Sequence, residues 1–388
     1  MTAYQQTRTR DGPTYLKEDC LDKLRRVDAV IFDCDGVLID VRNSYLMTIE
    51  ATIQYFLTRA TNLDVPSDGT LPHVIHLLKK SGGFNNDWDG TYALLLFLFN
   101  RLPSIFSTKL ASIVFTEEFT HSTLVDRFAL IENRLQGIRP IRFTTTWSEL
   151  RSDFARYATR TDDTGPSSAE QLIMKDVKGN GDLATFKAFL SYPEDGRQSL
   201  LATVFNEIFY GPTLFKAKNG VPPRFHTERG LVEDETLIIT DETLKTLQAL
   251  LGRHRLGIVS GRDSLSARHT MGSLLPHFNS KAVLFILDYE DSDEKEALKK
   301  PNALPLLRSS AGLDPFTYAL FVGDSAEDIL MVHNANRITP RFISVGVYSL
   351  SDYPDELIAY LQEAETDVII PSVNHLPPII RDARKNSR

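Results

Sequence analysis

The most regular pattern along the chain is a series of five short, uninterrupted apolar runs. They are residues 29–32, 256–259, 282–287, 318–322 and 342–347. Because their apolar residues are continuous rather than alternating, these runs are typical of strands buried on both faces. Helical patterns separate the last four runs, at 264–275, 294–309 and 326–335, and two prolines, Pro301 and Pro305, interrupt the second. This order of elements predicts an α/β fold with a doubly wound parallel sheet.

A second feature is the distance of more than 200 residues between the first apolar run and the next. An ordinary crossover is far shorter, so this stretch predicts an inserted domain. Helical runs such as 91–99 alternate in it with polar breaks at 62–70, 160–168 and 175–182, which predicts a mostly helical module. The expected domains are an N-terminal extension at 1–26, a core at 27–44 and 236–388, and the insert at 45–235.

The composition narrows the class of protein. A chain of 388 residues with 42% hydrophobic residues can bury the core of one large domain or two ordinary ones. The net charge of −8 argues against a nucleic-acid surface but leaves room for a local cationic pocket that binds one small anion. The oligomeric state stays open.

The cellular setting is also constrained by the sequence. With only two cysteines, Cys20 and Cys34, a disulfide framework is not expected, and we expect a reduced, cytoplasmic protein. The longest apolar run, 93–99, is too short to cross a membrane. Residues 1–13 lack the apolar core of a signal peptide. We therefore expect neither a membrane partner nor export.

Acidic residues follow the first and fourth apolar runs. Asp33 and Asp35 come directly after the first run, Asp324 follows the fourth, and Asp328 lies one helical turn later. Because the carboxyl ends of parallel strands meet at one edge of an open sheet, we expect these acids to lie close together. They would raise each other's pKa unless a divalent cation and a lysine neutralise them. Lys300, between the third and fourth runs, is the candidate lysine.

An oxygen-rich ligand set of this kind favours Mg²⁺. The ion binds a few carboxylates together with waters and substrate phosphate oxygens. We expect the side chains of Asp33, Asp324 and Asp328 to supply ligands, and Asp35 to supply its backbone carbonyl oxygen. The sequence thus predicts a Mg²⁺ cofactor at the crevice.

Four motifs in this chain resemble those of the haloacid dehalogenase (HAD) superfamily, in the same order. They are DCDGVLID at 33–40, IVSGR at 258–262, KKPN at 299–302 and VGDSAEDIL at 322–330. The resemblance covers residues 27–41 and about 240–388. The large insertion between the first and second motifs resembles the subfamily that has a helical cap there. The resemblance implies a Rossmann-like core with an inserted cap.

The resemblance also implies catalytic roles. Asp33 would be the nucleophile, and Asp35 the general acid and base. Ser260 would bind a phosphate oxygen, Lys300 would clamp negative charge, and Mg²⁺ would bind at the acids of the fourth motif. The expected activity is Mg²⁺-dependent hydrolysis of a small phosphorylated metabolite, of the sugar phosphate or phosphoglycolate type, through an aspartyl phosphate.

Each motif also has a structural interpretation. Ser260 is compatible with a helix N-cap, Lys300 with a solvated helix lysine, and the acids of the fourth motif with the charge preference of a helix start. Lys299 competes with Lys300 for the catalytic role, and the adjacent Pro301 favours Lys300. Four motifs in order, each at a strand end or crossover, favour the catalytic interpretation.

Three candidate substrate contacts lie close to these motifs. Gly261 and Arg262 follow Ser260 directly, where they would contact the phosphate. Arg42, just past the first motif, is either a contact to a substrate anion or a surface cation.

The stretch SGGFNNDWDG at 81–90 is the most unusual segment of the insert. Asn85, Asn86 and Asp87 would face the crevice and hydrogen-bond a polyhydroxylated or amino-bearing leaving group. Alternatively, Asn86 or Asp87 caps a helix that begins near Thr91, and Phe84 packs inside the insert. The sequence leaves both interpretations open.

Two other functions compete with a phosphatase. A phosphomutase would use the same two aspartates and return the phosphoryl group to a second hydroxyl of the substrate. A non-catalytic phosphate-binding regulator would keep the fold without turnover. The complete set of Asp33, Asp35, Lys300 and Asp324 argues against the regulator, because binding alone does not need a nucleophile paired with a general acid.

Overall fold

The structure is a computed structural model, and it describes residues 4–84, 86–176, 179, 182–192, 199–290 and 292–385. The chain forms two compact units. The first, termed the core, comprises the described residues of 4–41 and 234–385. The second, termed the helical insert, comprises those of 42–233. The sequence placed these two junctions after residues 44 and 235.

An eight-stranded sheet forms the centre of the core. The described part of the core has ten strands, of which eight form this sheet. In chain order they are β1 (Tyr4–Thr9), β2 (Gly12–Lys17), β3 (Val27–Phe32), β4 (Ile39–Asp40), β5 (Thr236–Leu237), β6 (Leu256–Ser260), β7 (Val283–Phe285), β8 (Tyr318–Gly323), β9 (Phe342–Val347) and β10 (Val368–Ile370). The sheet has the order β1-β2-β10-β9-β8-β3-β6-β7. The short strands β4 and β5 form a separate antiparallel ribbon.

The chain adds strands first on one side of β3 and then on the other, so the strand order reverses at β3. The six strands from β10 to β7 are parallel; at one edge β2 pairs antiparallel with β10, and β1 pairs antiparallel with β2. From β3 the chain continues to β6 and β7 on one side and then to β8, β9 and β10 on the other. The predicted doubly wound parallel sheet is therefore confirmed. Ligands of such sheets bind beyond the carboxyl ends of the strands at the point of reversal.

Helices cover both faces of this sheet. The core helices are α1 (Leu21–Arg25), and, after the insert, α12 (Asp241–Leu251), α13 (Ser264–Met271), α14 (Lys295–Leu298), α15 (Leu304–Ala311), α16 (Ala326–Ile338), α17 (Pro354–Glu363) and α18 (Leu376–Lys385). Val30 and Phe32 of β3 share an apolar cluster with residues of α12 and α18. Ala29 and Ile31 share another with residues of α15 and α16. Burial on both faces explains the continuous apolar run of β3.

Some predicted elements have different limits in the structure. The apolar run 282–287 forms only the short strand β7, because the chain turns into a 3₁₀ helix at Ile286–Tyr289. The predicted helix 264–275 continues beyond α13 only as a 3₁₀ helix, Gly272–His277, which contains Pro276. The predicted helix 294–309 is divided into α14 and α15, and the Lys-Pro pair lies in the break.

The first strands of the chain belong to the core sheet. β1 and β2 form a hairpin, and β2 pairs antiparallel with β10. The sequence of β1, YQQTRT, contains no apolar run, and its middle residues are exposed. Hydrophobic pattern alone therefore did not indicate this strand at the edge of the sheet.

The described part of the insert is helical. Its helices are α2 (Tyr45–Thr61), α3 (Thr70–Lys80), α4 (Asp87–Asn100), α5 (Ser104–Val114), α6 (Glu117–Thr120), α7 (Leu124–Leu135), α8 (Trp147–Ala158), α9 (Pro166–Met174), α10 (Leu183–Leu190) and α11 (Leu200–Asn219). Helix α4 is buried on all sides from Gly90 to Asn100, which makes it the central helix of this unit. Phe84 is buried in the same apolar cluster, and Trp88 packs against it.

Helix α11 contains a sharp kink. Gly211 there has φ 64° and ψ 176°, and Pro212 follows it. A Cβ atom on Gly211 would lie 2.2 Å from the backbone nitrogen of Gly230. Both the positive φ and the close backbone approach therefore require glycine.

None of the helices in the described part of the chain is both long and apolar enough to span a membrane.

Candidate functional site

The loop after β3 is held in a tight backbone arrangement. The Asp33 amide donates to the carbonyl of Val322 on β8, which continues the hydrogen bonding of the strands. The amides of residues 37, 38 and 39 all donate to the carbonyl of Cys34, and the Gly36 amide donates to the carbonyl of Ile39. The loop thus places Asp33 and Asp35 directly at the carboxyl end of the central strand.

Gly36 brings this loop against β8. Its φ is +71°, and a Cβ atom there would lie 1.9 Å from Asp324 Oδ2. Asp324 follows the last residue of β8. Only glycine satisfies both the left-handed conformation and this approach to a carboxylate.

Lys300 connects the predicted nucleophile Asp33 with the predicted metal ligand Asp328. Its Nζ lies 3.0 Å from Asp33 Oδ1 and 2.8 Å from Asp328 Oδ1. The Lys300 side chain is only 10% exposed, whereas Lys299 is exposed and pairs with Glu296. The structure therefore places Lys300, rather than Lys299, among the carboxylates.

The start of α16 orients Asp328. The Asp328 amide donates to Ser325 Oγ and the Ser325 amide donates to Asp328 Oδ2, both at 3.3 Å, which forms a capping box. The Ser325 hydroxyl also donates to Asp328 Oδ2 at 2.7 Å. A Cβ atom on Gly323 would lie 2.3 Å from the Asp328 side chain. Asp328 is therefore a helix-start residue, as its structural interpretation predicts, and it is also fully buried.

Asp33, Asp324 and Asp328 form a group that could hold a metal ion. One carboxylate oxygen from each lies within 4.8 Å of the others. Burial raises the pKa of Asp324 well above its usual range, and the nearby carboxylates of Asp328 and Asp33 raise it further. When these three carboxylates are ionised, the single ammonium group of Lys300 leaves an excess of negative charge. A hard divalent cation fits this oxygen donor set and would compensate that excess.

The protonation states of Asp33 and Lys300 depend on each other. Burial raises the pKa of Asp33, Lys300 lowers it, and Asp328 raises it. Burial opposes the charge on Lys300, but the carboxylates of Asp328 and Asp33 outweigh it and raise the pKa of Lys300. Lys300 is therefore a permanent cation that favours the ionised form of Asp33.

Ser260 is the last residue of β6, at the same edge of the sheet. It is completely buried, and its Oγ accepts from the amide of Arg262 at 3.3 Å. It does not cap α13, because the carboxylate of Asp263 accepts from the first amides of that helix. Gly261, which follows Ser260, is exposed, and a Cβ atom there would have no neighbour within 4 Å. The backbone next to Ser260 thus lies beside open space.

Arg262 lies inside the core. Its side chain is fully buried, and its Nη1 donates to Asp35 Oδ1 at 3.0 Å. Its Nη2 donates to both carboxylate oxygens of Glu235 at 2.8 Å. Glu235 was not identified from the sequence, because it lies in no motif. Its position just before β5 is the only signal that the sequence carries.

Asn86 and Asp87, two of the candidate residues of the insert, make contacts within their own unit. Asn86 caps α4, and its side chain accepts from the Trp88 amide at 2.9 Å. Asp87 is the first residue of α4, so the helix begins four residues before Thr91, and Asp87 pairs with Lys79 at 3.0 Å. Asn85 lies outside the described residues.

The capping interpretation of Asn86 therefore has a contact to support it. Its role as a contact to a leaving group remains a prediction. Arg42 is exposed and lies between β4 and α2 in the chain, where its proposed contact to a substrate anion also remains a prediction.

Comparison with known proteins gives a likeness of fold. No protein-family model and no curated protein sequence matches this chain. An X-ray structure described as a Northeast Structural Genomics Consortium target is similar with a TM-score of 0.65 at 15% sequence identity, over 92% of this chain and 100% of the other. The phosphatase Tt82 from Thermococcus thioreducens is similar with a TM-score of 0.47 at 21% identity, over 86% of this chain and 98% of the other. The first likeness supports the overall fold, and the second is too distant to support an inference.

Proposed function

We propose that this protein is a HAD-type, Mg²⁺-dependent phosphomonoester hydrolase that acts on a small phosphorylated metabolite. The observation that carries the proposal is the contact of Lys300 with both Asp33 and Asp328, beside Asp324, at the carboxyl ends of β3 and β8. Phosphoryl transfer to an aspartate requires a carboxylate nucleophile, an adjacent cation and acidic residues that can bind a metal. Asp33, Lys300 and the pair Asp324 and Asp328 match these three requirements.

The metal would be held by the side chains of Asp33, Asp324 and Asp328. When bound, Mg²⁺ neutralises the charge of the phosphate and of the acids around it. Lys300 supplies further positive charge from the protein itself. Ser260 and the backbone at Gly261 lie next to the open space at the end of β6, where they are suited to bind phosphate oxygens.

The first step uses Asp33 and Asp35. A carboxylate oxygen of Asp33 attacks phosphorus, and the bond between phosphorus and the leaving-group oxygen breaks. Protonated Asp35 gives its proton to that oxygen, so that an alcohol departs and an aspartyl phosphate remains on Asp33.

The second step regenerates both side chains. A water oxygen attacks phosphorus, and the ionised Asp35 takes the proton of that water. The bond between phosphorus and Asp33 breaks, which releases inorganic phosphate and restores the carboxylate of Asp33. The net reaction consumes one water and yields an alcohol and phosphate.

The neighbouring thiol is not suited to the nucleophilic role. Cys34 is buried, and burial together with the charges of Asp33 and Asp35 raises the pKa of its thiol far above its usual range. The thiolate, which is the reactive form, is therefore negligible near neutral pH. This supports Asp33 as the nucleophile.

A panel of phosphomonoesters, assayed with Mg²⁺ for both released phosphate and isomerised substrate, tests the proposal. We expect phosphate release by the wild type, and its loss in Asp33→Asn, because the amide keeps the shape but is not nucleophilic. Circular dichroism and thermal unfolding check that the variant is folded. Full activity of Asp33→Asn would exclude the mechanism, and isomerised product without phosphate release would indicate a mutase instead.

A further inference from the structure

A buried arginine connects Asp35 to a second carboxylate. Arg262 donates to one oxygen of Asp35 and to both oxygens of Glu235. The side chains of Arg262 and Glu235 are fully buried, whereas that of Asp35 is 33% exposed. Arg262 therefore contacts, from inside the protein, the acid that would exchange protons with the substrate.

Further hydrogen bonds hold this arginine in place. Thr270 on α13 donates its hydroxyl to Glu235 Oε2. The Arg262 amide donates to Ser260 Oγ, and the Arg262 carbonyl accepts from the amide of Leu287 at 3.2 Å. Both ends of Arg262 are thus fixed by elements of the core, and its direction toward Asp35 is set before substrate binds.

The charges of this network determine what Arg262 does to Asp35. Glu235 accepts two hydrogen bonds from the guanidinium and compensates its charge inside the core. The remaining hydrogen bond, from Arg262 Nη1 to Asp35 Oδ1, fixes the direction of the Asp35 carboxylate. A buried ion pair adds little net stability compared with apolar residues of similar size. Stability alone therefore does not account for three buried or half-buried charges at this position.

We infer that Arg262 is a positioning residue that holds Asp35 for proton transfer, and that Glu235 and Thr270 hold Arg262. The inference rests on the proposed phosphatase activity. Asp35 protonates the leaving alkoxide as its bond to phosphorus breaks, and later takes a proton from the attacking water.

The test compares two esters that differ in their need for an acid. An alkyl phosphate from the panel has a poor leaving group that must be protonated, whereas 4-nitrophenyl phosphate releases a stable phenolate. The value of kcat/KM reports the first step, in which the leaving group departs. Removal of the acid in Asp35→Asn should lower kcat/KM for the alkyl ester by about 100-fold and for the aryl ester much less.

The same signature is expected for residues that position Asp35. Arg262→Lys should lower kcat/KM for the alkyl ester at least about tenfold more than for the aryl ester, because a lysine cannot contact Asp35 and Glu235 in the same geometry. Thr270→Val removes only the hydroxyl contact to Glu235. We therefore expect it to lower kcat/KM for the alkyl ester more than for the aryl ester, but by a smaller factor than Arg262→Lys. This milder variant keeps the test usable if Arg262→Lys does not fold.

Arg341→Lys is the matched control. Arg341 also pairs with a carboxylate, Asp314, in the core, but both residues precede the amino ends of β9 and β8. Its substitution should leave the ratio of the two kcat/KM values unchanged. If Asp35→Asn changes that ratio while Arg262→Lys and Thr270→Val slow both esters equally, the network is only structural and the inference is wrong.

A crystal structure of Arg262→Lys separates this inference from the proposed function. We expect the Asp35 carboxylate to turn away from its wild-type direction. An unchanged Asp35 in that structure would overturn the positioning role even if the protein is a phosphatase. If the wild type hydrolyses neither ester, the proposed function fails, and the direction of Asp35 in the two structures still decides whether Arg262 holds it.

Discussion

Gly36 is the residue on which the geometry of the acidic group depends most directly. Its positive φ disfavours any other L-residue by about 1–2 kcal/mol. A Cβ atom would also displace Asp324, whose Oδ2 lies 1.9 Å from the position it would occupy. We therefore expect Gly36→Ala to lower the free energy of unfolding by at least that amount and to weaken Mg²⁺ binding, as measured by urea unfolding and Mg²⁺ titration.

Gly261→Ala is the control for this change, because its Cβ atom would have no neighbour within 4 Å. Its stability should equal that of the wild type. If both variants are equally stable, the close approach of Gly36 to Asp324 is not a constraint on the fold.

Asp324 should have opposite effects on stability with and without metal. Burial beside other acids raises its pKa, which means that its ionised form is unfavourable in the metal-free protein. Asp324→Asn removes that charge, so we expect its stability in chelator to equal or exceed that of the wild type. At Mg²⁺ concentrations near 100 times Kd, the wild type should gain about 2.7 kcal/mol, and the variant should lose most of this gain.

Thermal unfolding in chelator and in Mg²⁺ measures both effects. Asp314→Asn, an exposed carboxylate before β8, should leave the gain from Mg²⁺ intact. A full gain from Mg²⁺ in Asp324→Asn would show that the metal binds elsewhere.

The central helix of the insert depends on a single N-cap. Asn86 accepts from the Trp88 amide, and loss of such a cap costs about 1 kcal/mol. We expect Asn86→Ala to lower the stability of the insert by this amount, and Asn86→Asp to retain it. Both tryptophans of the chain, Trp88 and Trp147, belong to the insert, so their fluorescence during urea unfolding reports on this unit.

Substrate selectivity of the same two variants tests the other interpretation of Asn86. A pure cap predicts unchanged selectivity among phosphomonoesters in both variants. A change of selectivity in Asn86→Asp, where the cap is retained, would support a contact between Asn86 and the leaving group.

The apolar clusters and the acidic group of the core lie within the core itself. Its clusters consist of residues from the core, and the acidic group, Lys300 and Ser260 all belong to it. In the ribbon, Asp40 of β4 pairs with Thr236 of β5. Replacing residues 42–234 with Asn-Gly would leave four residues between β4 and β5, namely Val41, Asn, Gly and Glu235, which is a common loop length for a hairpin.

We expect this core-only protein to unfold cooperatively and to keep its stabilisation by Mg²⁺, as measured by differential scanning calorimetry. The same protein with Asp324→Asn should lose that stabilisation. A broad, non-cooperative transition would show that the core depends on the insert for folding.

Much of the fold and the approximate position of the site were predictable from the chain itself. A continuous apolar run indicates a strand that is buried on both faces, and this pattern can be read from a short segment alone. The limits predicted for β3, β6, β8 and β9 are therefore close to the observed ones. Residues within two positions of the ends of such runs, Asp33, Ser260 and Asp324, were therefore expected at one carboxyl edge, because parallel strands end together. Strands without this pattern, such as β1, form because a neighbouring strand pairs with them.

Only the tertiary structure decided which side chains touch. The sequence offered Lys299 and Lys300 as rivals, and the packing of the break between α14 and α15 turns Lys300 toward Asp33. The sequence also indicated Arg262 as a substrate contact. In the folded chain, the guanidinium of Arg262 contacts Asp35 and Glu235, which lie 227 and 27 positions away in the sequence. The hydrophobic pattern of a sequence indicates which positions are buried. The partner of a buried charge depends on which distant segments lie next to each other, and the chain brings these segments together only when the sheet forms.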